Sequence, residues 1–216
     1  MSAFTTTGAV SQSITRIGRN EPFELQVARG QITFHSPQNI FGYGTTPATA
    51  NLYRTVWENM ATTDYSFPGS ALTMQLVSTV NTDTASITIT GLDSNYNIIS
   101  ETLVLNGATN VPTVNQYLRV NNISVSSGSS SNPSGVVTLS NGGTVYAQIN
   151  AITVNGVLGS IGTSQMALYT VPAGYTLYMS RFGAYSSFNG NTANYTTYRA
   201  VTNTSAGVQR LSLIHI

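Results

Sequence analysis

The sequence predicts an all-β chain, made of antiparallel β-sandwich or jelly-roll modules behind an extended N-terminal arm. Three observations carry this. Apolar residues recur with period two from about Asn51 onward, clusters of turn-formers separate these runs, and almost nothing has the 3.6-residue spacing of an amphipathic helix.

Taken in order, residues 1–50 hold Arg16 and Arg19, a short strand at Phe23–Arg29 and the Gly/Pro/Thr-rich Ile40–Ala50, the make-up of an arm rather than a packed unit. Leu52–Met60 is a weak helical candidate. In Ser86–Thr90, Ile87 and Ile89 face one way while Ser86, Thr88 and Thr90 face the other, and Leu103 with Leu105 repeat the alternation. Ser86–Leu92 and Ile98–Leu105 therefore form a hairpin about Gly91–Asn97. A second hairpin joins Val136–Ser140 to Thr144–Ile149 across Asn141–Gly143, where an Asn-Gly pair tolerates the positive φ angles of a type I′ turn. A third joins Gln165–Val171 to Tyr175–Phe182 through Val171–Gly174, with Pro172 presetting φ and Gly174 taking the left-handed position. Thr, other β-branched residues and aromatics fill these runs, as pleated surfaces favour. Ser126–Gly135 is low in complexity and reads as an exposed loop.

All seven acids lie at or before Glu101, and Val120–Ser180 contains no charged side chain. This change in composition predicts two modules after the arm, 51–145 and 146–216, with the boundary near Gly142–Asn155. The last six residues, Leu211–Ile216, look like translated sequencing adapter, the alternative being an ordinary last strand. The native chain is expected to differ after about Arg210, leaving the second module truncated and 211–216 a non-native tail.

Charged residues make up 7% of the chain, against about 25% in ordinary soluble domains. Ser, Thr and Asn supply about a third, and every basic residue is arginine. The surface must consist mostly of neutral hydrogen-bonding groups. A net charge of +1 gives no polyelectrolyte footprint for nucleic acid. There is no run of 18 apolar residues to span a membrane and no apolar stretch of a secretory signal near the N-terminus, so neither nucleic acid nor membrane is expected as a partner. Cysteine is absent, which removes disulfides and thiol chemistry.

Catalytic chemistry finds few residues. Only His35 and His215 could serve a nucleophilic serine, and among 25 serines proximity to one of them means little. Glu21 with Glu24, and Glu58 with Asp64, are near in sequence but lie in no recognisable paired-carboxylate motif. Asp93–Asn97 has the D-x-N-x-N spacing that begins an EF-hand loop. The match then fails, because Ile98 stands at the glycine position and Val104 at the position of the bidentate carboxylate, so an Asx-type hairpin turn is the simpler reading. No enzyme activity, cofactor or metal is expected. The sequons at Asn122, Asn194 and Asn203 are chance-level in so Asn/Ser/Thr-rich a chain.

Aromatics are the remaining concentration: Tyr169, Tyr175, Tyr178, Phe182, Tyr185, Phe188, Tyr195 and Tyr198 fall within thirty residues. Tyrosines on a neutral, amide-rich sheet could stack sugars. The shared inward phase of Tyr178 and Phe182 instead favours core or subunit-contact duty. Tyr175, Tyr178, Tyr185, Tyr195 and Tyr198 are the candidate interface or glycan-contact residues.

The ordered combination of Val27–Ile32 (VARGQI), Asn39–Gly44 (NIFGYG), Val56–Asn59 (VWEN), Ser70–Ser78 (SALTMQLVS), Ile87–Thr109 (ITITGLDSNYNIISETLVLNGAT), Tyr117–Val125 (YLRVNNISV), Ala147–Ile149 (AQI) and Ala167–Phe182 (ALYTVPAGYTLYMSRF) resembles virion structural proteins of tailed bacteriophages, particularly marine ones infecting cyanobacteria. The resemblance covers about Val27 to Phe182. It implies a component of the particle, in head decoration, neck, tail or fibre, made in the host cytoplasm and acting by assembly with copies of itself and other virion proteins. It transfers no catalytic residues. A low charge fits this, since packing then desolvates few ions. The competing class is a carbohydrate-binding β-sandwich module, and a fibre domain that binds a host surface glycan would join the two.

Overall fold

The computed structural model describes residues 21–45, 53–154, 157–160, 162–186, 197–204 and 207–215. The fold is all-β. Eleven strands and one short helix are found among the described residues. They divide into two compact units, 38–176 and 1–37 with 177–216.

In the larger unit, β1 (Gln75–Ser78), β4 (Val111–Pro112), β6 (Val137–Asn141) and β7 (Thr144–Ile149) form an antiparallel sheet in the order β4-β1-β6-β7. A second antiparallel sheet, in the order β3-β2-β5, contains β2 (Ser86–Leu92), β3 (Ile98–Val104) and β5 (Arg119–Val125). A small separate hairpin pairs β8 (Ala151–Val154) with β9 (Val157–Ser160). Both large sheets feed one apolar core: Leu76, Leu139, Ala147 and Ile149 from the first meet Ile87, Ile89, Val120 and Ile123 from the second, together with Trp57 and Tyr117 from loops. All are buried, and the period-two alternation of β2 places Ile87 and Ile89 inward as the sequence predicts. On the opposite face, the register sets Thr88 against Thr102, and their hydroxyls lie 3.0 Å apart.

Two of the three expected hairpins form. Leu92 pairs with Ile98 at the end of the first, and Asn141 pairs with Thr144 at the end of the second. In the second, the two positive φ angles fall on Gly142 and Gly143, at 55° and 84°, so the turn is built on Gly-Gly rather than on Asn-Gly. Pro172–Gly174 does turn, with Gly174 at φ 79° and Tyr175 N–H donating to the Pro172 carbonyl at 3.2 Å. No ladder follows: 165–171 and 175–182 contain no strand, so the third hairpin is a turn in an irregular segment.

Other expectations are corrected. Phe23–Arg29 is not a strand; Phe23–Ala28 is helix α1. Gly30 takes φ 68°, and the Gly30 and Gln31 N–H groups donate to Val27 and Gln26, an end that an extended segment cannot make. Leu52–Met60 is not a helix where it is described; the chain turns at Trp57, with Met60 N–H donating to the Trp57 carbonyl. The expected boundary between Val145 and Tyr146 falls inside β7, whose Tyr146, Ala147 and Ile149 share the core of the preceding strands. Residues 38–45 of the expected arm belong to the larger unit, where Tyr43 N–H donates to the Gln165 carbonyl at 3.2 Å. In the smaller unit, β10 (Thr197–Thr204) pairs with β11 (Gly207–His215), a pairing that includes residues 212–215 and does not bear on their origin.

Gly91 marks a tight contact between strands. The β2–β5 register shifts between Thr90 and Gly91, and a Cβ at Gly91 would run into the Arg119 carbonyl and the Tyr117 ring. Gly91→Ala is expected to destabilise the larger unit by about 1–3 kcal/mol. Gly128→Ala, where nothing lies within 4 Å, should leave the urea midpoint near the parent value.

Candidate functional site

The aromatic stretch lacks the inward phase read from its sequence. Without a strand ladder to set alternation, Tyr178 and Phe182 are both exposed, and Leu177, Tyr178, Met179, Phe182 and Tyr185 range from 40% to 93% exposed within nine residues of the smaller unit. Tyr175, in the larger unit, is 67% exposed. Tyr198 on β10 is half-buried and donates its hydroxyl to the Tyr185 carbonyl at 2.7 Å, bringing these two candidates together. Tyr195 lies outside the described residues.

The acids of the larger unit serve the backbone. Asp64 Oδ1 accepts the Thr55 and Tyr65 N–H groups, each at 2.9 Å. Glu101 accepts Val114 at 2.9 Å and Asn115 at 3.1 Å. Asp93 Oδ1 accepts Asn95 and Asn97 at 2.7 and 2.9 Å, while its Oδ2 takes the Asn97 amide, so the D-x-N-x-N segment closes as an Asx turn. Hydrogen bonds, first that from Asn97 N–H, hold the Asp93 carboxyl below its ordinary pKa. Among the described residues, no group of three or more His, Asp or Glu side chains is placed to hold a metal ion. None of their helices is long and apolar enough to cross a membrane. His35 is an exposed loop residue, edge-on to Phe23, with Nδ1 3.0 Å from the Thr33 carbonyl.

Two buried carboxyls carry more than sequence proximity suggests. Asp83 accepts Ser134 N–H on Oδ1, and Gly135 N–H and the Ser78 hydroxyl on Oδ2, at 2.9, 2.9 and 2.6 Å. Glu58 accepts the Gln165 N–H on Oε1, while its buried Oε2 has no partner. Period-two patterning could reveal neither, because both lie in turns.

The larger unit also holds a cleft of about 550 Å³, between residues 38–41, the ends of β2 and β5, and residues 163–172. Thr90, Leu92 and Ile98 contribute to its lining from the hairpin, and Gln38, Phe41 and Tyr169 from the crossing segments. Its wall is bonded in place. Asn121 and Thr170 exchange two hydrogen bonds of 3.0 Å, and the Asn122 amide reaches the hydroxyls of Thr163 and Ser164 at 2.9 and 3.2 Å. No lining residue is ionised at neutral pH: Tyr169 is the sole titratable group there, and burial, reinforced by Tyr175, pushes its pKa up.

No protein-family model, curated protein or solved structure matches the chain.

The two buried acids should respond oppositely to pH. Burial opposes ionisation of Asp83, but the Ser134, Ser78 and Gly135 donors outweigh it and lower its pKa. Its stabilisation is therefore complete above the unfolded-state value of about 3.9 and is lost as pH falls through the lower folded-state value. Asp83→Asn is expected to cost about 2–3 kcal/mol at neutral pH in urea titrations, with the gap to the parent narrowing in acid. For Glu58, burial dominates over the opposing backbone donors and pushes the pKa up to about 7. The folded chain then holds a proton that the unfolded chain releases above about pH 4.3, so stability falls as pH rises from there towards 7. Glu58→Gln keeps an acceptor for Gln165 and removes that fall. It should be more stable than the parent above neutrality, by about 3 kcal/mol, and so melt higher there in thermal scans across pH.

Proposed function

We propose that this chain is a structural component of a bacteriophage particle, in head decoration, neck, tail or fibre, and acts by assembly rather than catalysis. The observation that carries the reading is the stretch Leu177–Tyr185. Five large apolar side chains there face solvent, and Arg181 is the only charged residue among them. Exposed apolar clusters of this kind mark surfaces that another protein covers. Copies of the same chain and other virion proteins are the proposed partners, and the virion is the proposed location. The two sheets that share one core support a β-sandwich as the building block.

The exposure of Tyr175, Tyr178 and Tyr185 also favours a second reading, a glycan-binding module or fibre domain, because an open tyrosine face can stack on a sugar ring. Sedimentation separates the two. Under the assembly reading the chain self-associates, and association persists from roughly 0.1 to 1 M NaCl because few ion pairs are screened. The double variant Tyr178→Ser/Tyr185→Ser should weaken association at least about tenfold with the circular dichroism spectrum unchanged. A monomer at every concentration, together with absence from purified particles by mass spectrometry, would leave the glycan-binding reading in place.

A further inference from the structure

We propose that the cleft between residues 38–41, the β2 and β5 ends and residues 163–172 binds a neutral saccharide. This site uses none of the five candidate tyrosines, and its function does not depend on the assembly reading.

Charge decides the class of ligand first. The lining offers no ionised side chain, so a phosphate, carboxylate or ammonium would lose hydration on entry without meeting a counter-charge. The mixture of surfaces narrows it further. The lining combines apolar residues, among them Phe41 and Ile98 at 63% and 55% exposed, with Gln38, Asn39, Thr90 and Gln165, residues whose side chains carry amides and a hydroxyl. A wholly apolar ligand would strip water from those amides without replacing its hydrogen bonds. A pyranose meets both needs, with C–H faces for the apolar residues and hydroxyls for the amides. The volume lies within the range of about 300–1,000 Å³ typical of small-ligand sites.

The wall is also ordered before any ligand arrives. Besides the Asn121 and Asn122 bonds, Ile123 N–H donates to Ser164 Oγ at 3.1 Å, Tyr43 N–H donates to the Gln165 carbonyl, and Glu58 accepts the Gln165 N–H. A weak ligand therefore need not organise two loops, which is where much of the entropy of binding is otherwise lost.

Saturation-transfer NMR on the full chain tests this, with the methyl glycosides of glucose, galactose, mannose and N-acetylglucosamine as probes and glucose 6-phosphate as the charged comparison. At least one neutral glycoside is expected to show transfer. Ile98→Trp, which adds bulk at an exposed lining position, should reduce it at least tenfold, and Phe41→Ala should weaken it should the first variant fail to fold. Tyr178→Ser/Tyr185→Ser should leave it unchanged. No transfer to any glycoside, equal transfer to glucose 6-phosphate, or a signal that survives both cleft variants or vanishes with the tyrosines would each overturn the proposal.

Discussion

The larger unit depends on one interaction used repeatedly: a carboxylate that accepts main-chain N–H groups. Asp64, Asp83, Asp93 and Glu101 each accept two. Such charge-assisted bonds are about twice as strong as neutral ones, and here each fixes a loop rather than pairing with a surface cation. Asp83 matters most for topology. By holding Ser134 and Gly135 beside Ser78, it delivers the chain to the point where Val137 pairs with Ser78 and β6 begins alongside β1. A poorly charged sequence thus uses most of the acids of this unit on loop amides, and at Asp83 the Gly135 amide so satisfied is buried.

The hairpin tip shows how such a turn is coupled to packing. The Asp93 turn leaves Tyr96 at φ 62°, a conformation unfavourable for an aromatic residue. There its ring lies 5.7 Å from the Arg119 guanidinium, which also sits 4.8 Å from the Phe67 ring and donates to the Pro68 carbonyl at 3.1 Å. One arginine therefore joins the tip of β2–β3, the start of β5 and the segment before β1. Gly91 allows this approach, because β2 and Arg119 come too close there for a side chain.

Local pattern made the β2–β3 and β6–β7 hairpins legible, since strand alternation and turn chemistry sit within twenty residues of sequence. The smaller misreadings have physical reasons. Phe23, Leu25 and Val27 alternate as a strand would, but Pro22 before them and Gly30 after them are helix boundary signals, and the six-residue helix is closed by those caps. Pro172 and Gly174 specify a turn, yet a turn does not oblige its flanks to pair. Along that stretch Ala173 N–H donates to the Tyr96 carbonyl and Thr170 pairs with Asn121, so 170–173 docks on the β2–β3 and β5 ends instead of forming a strand of its own. The cleft and Glu58 were not legible at all. They arise where segments more than a hundred residues apart meet, as Glu58 meets Gln165, and no local periodicity encodes that.

The placement of β1 between β4 and β6 has a consequence for how the chain is made. During synthesis β2 and β3 can close as a hairpin soon after both emerge, because only a five-residue turn separates them. β1 cannot. Its four residues wait through some sixty more for β6, and until then Leu76 has no neighbour on that side. Long-range pairing of this kind slows folding and leaves an unpaired apolar edge on the nascent chain. The polar, charge-poor loop Ser126–Gly135 is the last connection to be laid down before that edge is covered, so its capture by Asp83 is also a step in the timing of the fold.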